Sequence, residues 1–399
     1  MNPSLKTLQS YPFERLGALL ADVEPAPLSP IDFSIGEPRQ TPPAFFAEVI
    51  MEHLHGLAQY PKILGSLSLR QAIVHWANER FSLPQGFLDP ERNVLPANGS
   101  REALFSVAQA VLDPHGGKDR VLIPNPFYQI YEGAALLAGA TVQYCNCKAS
   151  GQPDYRAISD DIWRRTALLY VNSPHNPTGS ALSLEDWLFL LEQARRFDFV
   201  LAADECYSEI YFDRPPTGVL EAAASTGSLA RVLTFHSLSK RSSVPGARSG
   251  FVAGDAELLA GFRQYRTYLG NAMPPFIQAA SAAAWSDESH VEQTRRDYGE
   301  KFALAAEILG SFLTIHRPDG GFYLWLSVGH GEDFSRALYA QENVRCLPGA
   351  YLARLAQGEY PGEDRVRIAL VGDTDTCREG LLRIRHFLET SAWLERKRS

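Results

Sequence analysis

Short apolar runs alternate with longer segments of helical period from residue 94 to residue 254, and few folds accommodate that pattern. Runs rich in Val, Leu and Ala suit strands buried on both faces, so the spacing predicts a mostly parallel sheet with crossover helices. Strands are expected at 93–96, 120–123, 141–145, 167–171, 200–203, 232–235 and 249–253, with helices at 100–112, 128–138 and 183–197. Ser183 and Asp186 read as an N-cap pair opening the last of these helices, with the carboxylate where the helix dipole favours it. Ligands of open parallel sheets collect at the carboxyl ends of the strands. The polar residues singled out below fall mostly at those ends.

Outside that core the pattern changes. Residues 25–43 are rich in Pro and are expected to run as an extended arm over the surface. Beyond Trp285 the sequence predicts a long polar helix at 290–312, strands near 320–326, 344–347 and 366–370, and a closing helix at 376–388. These elements describe a second, α+β domain, which a chain of 399 residues is long enough to build beside the first. With 45% hydrophobic and 21% charged residues the chain has the make-up of a soluble globular protein. A net charge of −8 argues against an electrostatic nucleic-acid binder, so an acidic ligand must be held by local Arg or Lys clusters. The five cysteines are odd in number and scattered, which argues for a reducing compartment over a disulfide framework. Cys145 and Cys147 share a strand face, but no second Cys or His pair has zinc-ligand spacing, so no metal is expected. No apolar leader is visible and no run approaches the roughly 18 apolar residues of a membrane span, so no membrane role and a cytoplasmic location are expected.

The chemistry is concentrated in a few motifs. Ser237-Leu238-Ser239-Lys240, followed by Gly246, Arg248 and Gly250, places one lysine amine just beyond an apolar strand, with hydroxyls beside it and a guanidinium downstream. That arrangement suits a covalently held, phosphate-bearing aldehyde, pyridoxal 5′-phosphate (PLP). A lysine attacks an aldehyde only after losing its proton, which a desolvated site or a cationic neighbour such as Arg248 eases. Asp204 ends an apolar strand, where a carboxylate needs a cation such as a pyridinium nitrogen. Tyr207, three residues on, and Asn176, in Ser-Pro-His-Asn-Pro-Thr-Gly, are placed to reach the ring's 3′-oxygen. Asn98-Gly99-Ser100-Arg101 follows a strand and opens a helix, and so offers backbone N–H donors to phosphate. Tyr128 lies past a strand end, where an aromatic ring can stack on the pyridine. Each motif alone also has a plain reading, as a turn, an N-cap or a core aromatic; all of them in this order point to one cofactor site.

At these residues the sequence resembles the fold-type I PLP enzymes, and more narrowly the class I/II aminotransferases, from Gly36 to the closing helix. The resemblance implies a large domain whose mostly parallel mixed sheet is flanked by helices, plus a smaller α+β domain. On that basis 1–45 is an N-terminal arm contributing to the small domain, 46–285 the large PLP-binding domain and 286–399 the C-terminal small domain. It also implies that Lys240 carries the cofactor and shuttles the proton. Asp204 would bind the pyridinium, Asn176 and Tyr207 the 3′-oxygen, Tyr128 the ring face, and Gly99, Ser100, Arg101, Ser237 and Arg248 the phosphate. Tyr60 looks like the tyrosine that reaches the phosphate across a homodimer interface with shared active sites. Arg367 matches the arginine that clamps the substrate α-carboxylate, with the backbone of Gly36 beside it. The expected partners are an amino acid and a 2-oxo acid, exchanged by ping-pong transamination.

The donor is written less clearly. Where most relatives have Phe-Gly, this chain has Leu352-Ala353 in a stretch running from Cys346 to Arg354, a variant that looks like the bacterial succinyldiaminopimelate transaminases of lysine biosynthesis. Such a donor carries a distant carboxylate, for which Arg39, Lys62 and Arg354 are the candidate cations, Arg39 first. Cys206 reads as a packing residue. The competing activities are a broad-specificity aspartate, alanine or aromatic (kynurenine-type) transaminase and a PLP carbon–sulfur lyase. A regulator that reuses this domain would need a DNA-binding module, and the residues before Gly36 hold no basic recognition helix.

Overall fold

The computed structural model describes every residue except Asn2, Pro114, Ala392 and 394–399, so the end of the expected C-terminal domain lies outside the described residues. After a short first strand, β1 (Ile31–Asp32), come β2 (Val94–Ala97), β3 (Arg120–Asn125), β4 (Thr141–Asn146), β5 (Thr166–Asn172), β6 (Val200–Asp204), β7 (Val232–Ser237) and β8 (Gly250–Gly254). The last seven form one sheet in the order β2-β8-β7-β6-β5-β3-β4. Neighbours from β4 to β7 are parallel, whereas β8 runs antiparallel to both β7 and β2. The sheet is therefore mixed and mostly parallel, as the sequence leads one to expect.

Apolar residues on both strand faces require cover on both sides. Val121, Ile123, Leu168 and Tyr170 pack toward the helix Ser100–Val111, and Leu122, Leu169 and Leu201 toward the helix Leu184–Phe197 with Trp187 and Leu190. The latter helix opens on Ser183, whose hydroxyl accepts from Asp186 N at 3.2 Å in a capping box. Three strands extend past their last apolar residue into Asn172, Asp204 and Ser237. Backbone pairing continues where the apolar pattern stops, which is why the sequence-based boundaries fall short at the functional end.

A smaller unit holds β9 (Tyr323–Ser327), β10 (Val344–Arg345), β11 (Leu347–Pro348) and β12 (Arg365–Ala369), with an antiparallel sheet in the order β11-β12-β9. The expected strand at 344–347 is split at Cys346, because Val344 pairs with β1 while Leu347 pairs with β12. Residues 25–43 do not run over the surface throughout. Ile31 and Phe33 are 6% and 1% exposed and pack with Ile368 and Leu381, and their N–H groups donate to Asn343 O and Arg345 O. Gly380 makes room, since a side-chain carbon there would collide with the Phe33 ring. Proline flanks this segment, but the Ile-Asp-Phe alternation lets it add an edge strand. The helix Pro12–Leu20, unanticipated from sequence, packs Leu16 and Leu20 against Leu347 and Tyr351. All five cysteines are free thiols, and no described helix is long and apolar enough to cross a membrane.

Candidate active site

Asn172, Asp204 and Ser237 end three adjacent parallel strands and line a cleft of about 580 Å³ between the two units. Ser237 also caps the four-residue helical turn Leu238–Arg241, accepting from Ser239 N at 3.1 Å. The turn carries the Lys240 amine into the cleft, where it donates to Gly36 O at 2.6 Å. Burial lowers its pKa to about 8, and the nearby Arg367 and Arg101 charges push the same way. The expected cationic neighbour, Arg248, serves elsewhere. Its guanidinium lies against Gly99, where φ is +79° and any side-chain carbon would collide with it. Glycine is thus required there both for backbone conformation and for the approach of the arginine.

Asp204 is buried, and burial raises its pKa. One oxygen accepts from Cys206 N at 3.2 Å and the other from the Tyr131 hydroxyl at 2.6 Å. No cation among the described side chains pairs with it directly. Next to the Gly99 turn, Arg101 donates to the Tyr128 hydroxyl at 2.7 Å, and Ser100, Arg101, Tyr128 and Arg248 all line the cleft.

The smaller unit contributes the opposite wall. Arg367, on β12, donates to Ser34 O at 2.7 Å and to Asn176 Oδ1 at 3.0 Å, and lies over the Tyr323 ring. Its Nε is buried without a partner. Asn176 is fixed in turn, its backbone N–H donating to Asn172 Oδ1 at 2.7 Å, and Tyr207 shares a 3.0 Å hydrogen bond with Tyr323. A side chain on Gly36 would collide with the Tyr323 hydroxyl, so this strand-like segment and β9 approach closely because residue 36 is glycine.

These features fit PLP on structural grounds. A buried amine of lowered basicity suits an aldehyde, a buried carboxylate without a counter-cation suits a pyridinium, and a helix start beside a guanidinium suits a phosphate. The structure brings Gly36, Ser100, Arg101, Tyr128, Asn176, Asp204, Tyr207, Ser237, Lys240, Arg248 and Arg367 to one cleft, with Gly99 behind Arg248. It does not bring Tyr60, which is fully exposed, nor the exposed Arg39 and Lys62, into that lining. Arg354 is committed elsewhere, paired with Glu132 at 2.6 Å. Cys206 sits at the cleft edge with its thiol pKa pushed up by burial, which fits a packing role. Sequence reasoning missed Tyr131, Tyr323 and Glu37. The two tyrosines lie in apolar runs that read as core, and Glu37 in a Pro-flanked segment that reads as a surface arm.

A family model described as "Aminotransferase class I and II" matches residues 29–384. An LL-diaminopimelate aminotransferase from Maridesulfovibrio salexigens is 30% identical over 395 residues, covering 95% of this chain and 97% of its own. An aminotransferase from Neisseria meningitidis, solved by crystallography, is 46% identical with a TM-score of 0.93 over 96% of this chain and 99% of its own. A probable N-succinyldiaminopimelate aminotransferase from Thermus thermophilus is 26% identical, with a TM-score of 0.83 over 94% of this chain and all of its own.

Proposed function

The chain belongs to the class I and II aminotransferases and is a PLP-dependent transaminase; from that premise we propose that it transfers the amino group of N-succinyl-LL-2,6-diaminoheptanedioate to 2-oxoglutarate in diaminopimelate and lysine synthesis. The observation that carries the site assignment is the buried Arg367 guanidinium, with an unpartnered Nε, beside the lowered-pKa Lys240 amine. PLP, when bound, supplies an electron sink for the charge left when the donor loses its Cα proton. Lys240, uncharged above about pH 8, holds and returns that proton at Nζ. Asp204 would pair with the ring nitrogen's positive charge, and Tyr131 fixes the carboxylate's orientation. Arg367 receives the α-carboxylate through a guanidinium already aimed by Ser34, Asn176 and Tyr323. Asn176 and Tyr207 would reach the ring's 3′-oxygen, and Ser100, Ser237 and Arg248 would hold the phosphate.

The Leu352-Ala353 variant and the likeness to the Thermus protein support the succinylated donor. A second reading, unmodified LL-diaminopimelate, draws on the curated relatives and on Glu37, an exposed carboxylate of the cleft wall that suits a free distal ammonium. A coupled assay with 2-oxoglutarate and each donor separates them, with acetylornithine, aspartate and kynurenine alongside. Preference for the succinylated compound supports the first reading; preference for LL-diaminopimelate replaces it with the second. Release of pyruvate and ammonia from a cysteine conjugate without an oxo acid would instead favour a lyase.

The same reading takes the active form to be a cytoplasmic homodimer with shared sites. Met51, Leu54, Leu57 and Tyr60 are all exposed along one stretch of chain, and Tyr60 is free to reach a second subunit. A Tyr60→Phe protein that loses PLP but is complemented by subunits inactive through Lys240→Ala supports sharing; failure of complementation counts against it.

A further inference from the structure

Residues 351–356 belong by sequence to the C-terminal segment but are bound to the large unit at five main-chain groups and through the Arg354 side chain. Phe127 N donates to Leu352 O at 2.8 Å, Gln129 Nε2 to Tyr351 O at 3.2 Å and Asn146 Nδ2 to Ala356 O at 3.0 Å. The Asn125 side chain takes both main-chain groups of Arg354, accepting from its N–H at 3.0 Å and donating to its carbonyl at 2.8 Å. The Arg354 side chain then folds over the Phe127 ring and pairs with Glu132 at 2.6 Å, while Tyr144 donates to the other Glu132 oxygen at 2.6 Å. Both members of the pair are about nine-tenths buried, at 11% and 8% exposed.

Such a pair adds little net stability over apolar packing, but it holds one geometry strongly, because breaking it strands a buried charge. What that geometry serves is visible on the cleft side. Leu352, two residues before Arg354, lines the cleft, as does Leu347, whose register partner on β12 is Arg367 itself. We infer that Arg354 is a positioning residue for the amino donor: clasped by Asn125 and Glu132, it fixes the Leu347–Leu352 wall and, through β11, the placement of Arg367. The inference goes beyond the donor assignment and holds for whichever donor the enzyme uses.

The test is steady-state kinetics of Arg354→Met and Arg354→Lys holoenzymes with the donor that the wild type uses best, together with the visible absorbance of bound PLP. Arg354→Met is expected to raise the donor KM on the order of tenfold, as a small misplacement of a binding group does, with kcat and cofactor absorbance near wild type. Arg354→Lys, which keeps the charge but not the fork, should recover part of the loss. Combined with Arg367→Lys, the Met variant should cost less than the product of the two separate effects, since both act on one contact. An unchanged donor KM, or a fall in kcat and cofactor content with KM intact, would overturn the inference. Should Arg354→Met not fold, Glu132→Gln, which leaves an acceptor in place, decides by the same readouts.

Discussion

At the proposed cofactor end of the cleft, Asn172, Asp204 and Ser237 are the last residues of neighbouring strands in one sheet, and the backbone ladder sets their spacing. At the proposed donor end, β11 and β12 hold Leu347 opposite Arg367, but the functional side chains come from distant parts of the chain and are aimed by side-chain bonds: Arg367 to Ser34 and Asn176, Tyr323 to Tyr207, Arg354 to Glu132. A ladder positions a group whatever its neighbours are, whereas an assembly of side chains loosens by degrees as each bond is removed. Substitutions at the first end should therefore abolish a chemical capacity, and those at the second should weaken affinity.

The sharpest test is Lys240→Ala. It should remove the visible absorbance of covalently held PLP and lower turnover by at least about 10³-fold, because both the anchor and the proton carrier are lost. Near-normal turnover would remove Lys240 from the chemistry altogether. The pH dependence of the wild type bears on the same group. Capture of added PLP by the cofactor-free protein should accelerate as pH rises through about 8, where the amine loses its proton. A capture rate flat from pH 7 to 9 would contradict the lowered basicity.

Arg367→Lys probes the other end. Loss of the planar fork should cost about 10²-fold in kcat/KM, carried mainly by the donor KM, with PLP absorbance retained. Loss of the absorbance instead would show the two ends to be one mechanical unit, and the contrast between them would fail.

The same division explains what could be read from the sequence. Lys240, Asp204, Asn176 and the Gly99–Arg101 turn are local motifs, each at or within a few residues past a strand end, and an apolar run followed by polar residues marks them. Tyr131 and Tyr323 carry no such mark. Each sits in an apolar run, and only the fold shows that one hydroxyl reaches Asp204 and the other Tyr207. Arg354 was legible as unusual but not as to its use, because its partner Glu132 lies 222 residues away and nothing local announces the pair. The arm at 25–43 failed for a related reason: its proline content suggested exposure, while its cover is supplied by the C-terminal helix. Tyr131→Phe sharpens the comparison from the less legible side. Removing a 2.6 Å donor from a buried carboxylate should weaken PLP retention on the order of tenfold. An unchanged cofactor dissociation constant would reduce Tyr131 to packing against Tyr170, on which its ring stacks at 4.7 Å.

An effect confined to stability, with none expected on the chemistry, lies directly behind the proposed cofactor end. Glu205 follows Asp204 but faces away from the cleft, 1% exposed, with one oxygen accepting from Val219 N at 2.8 Å and the other 3.6 Å from His236 Nε2 without a hydrogen bond. Burial pushes its pKa up to about 8 from 4.5, so between those values the folded protein keeps a proton that the unfolded chain has released. Stability from this group is complete below about pH 4.5 and declines toward pH 8, by at most roughly 1.4 kcal/mol per pH unit. His236 and His175, held neutral by burial with pKa values of about 3 and 4, act in the opposite sense below 6.5, and Lys240 acts above about 8. Asp204, raised by burial, and His386, raised by its bond to Glu342, act with the same sign as Glu205, so from pH 6.5 to 8 Glu205 contributes a share of the declining slope. Glu205→Gln keeps the shape and removes the titrating proton, so urea unfolding of the variant should show a shallower decline across that window than the wild type, while its PLP absorbance stays unchanged. Equal slopes in both proteins would mean that Glu205 is already ionised in the fold and that the floor beneath Asp204 carries a second negative charge.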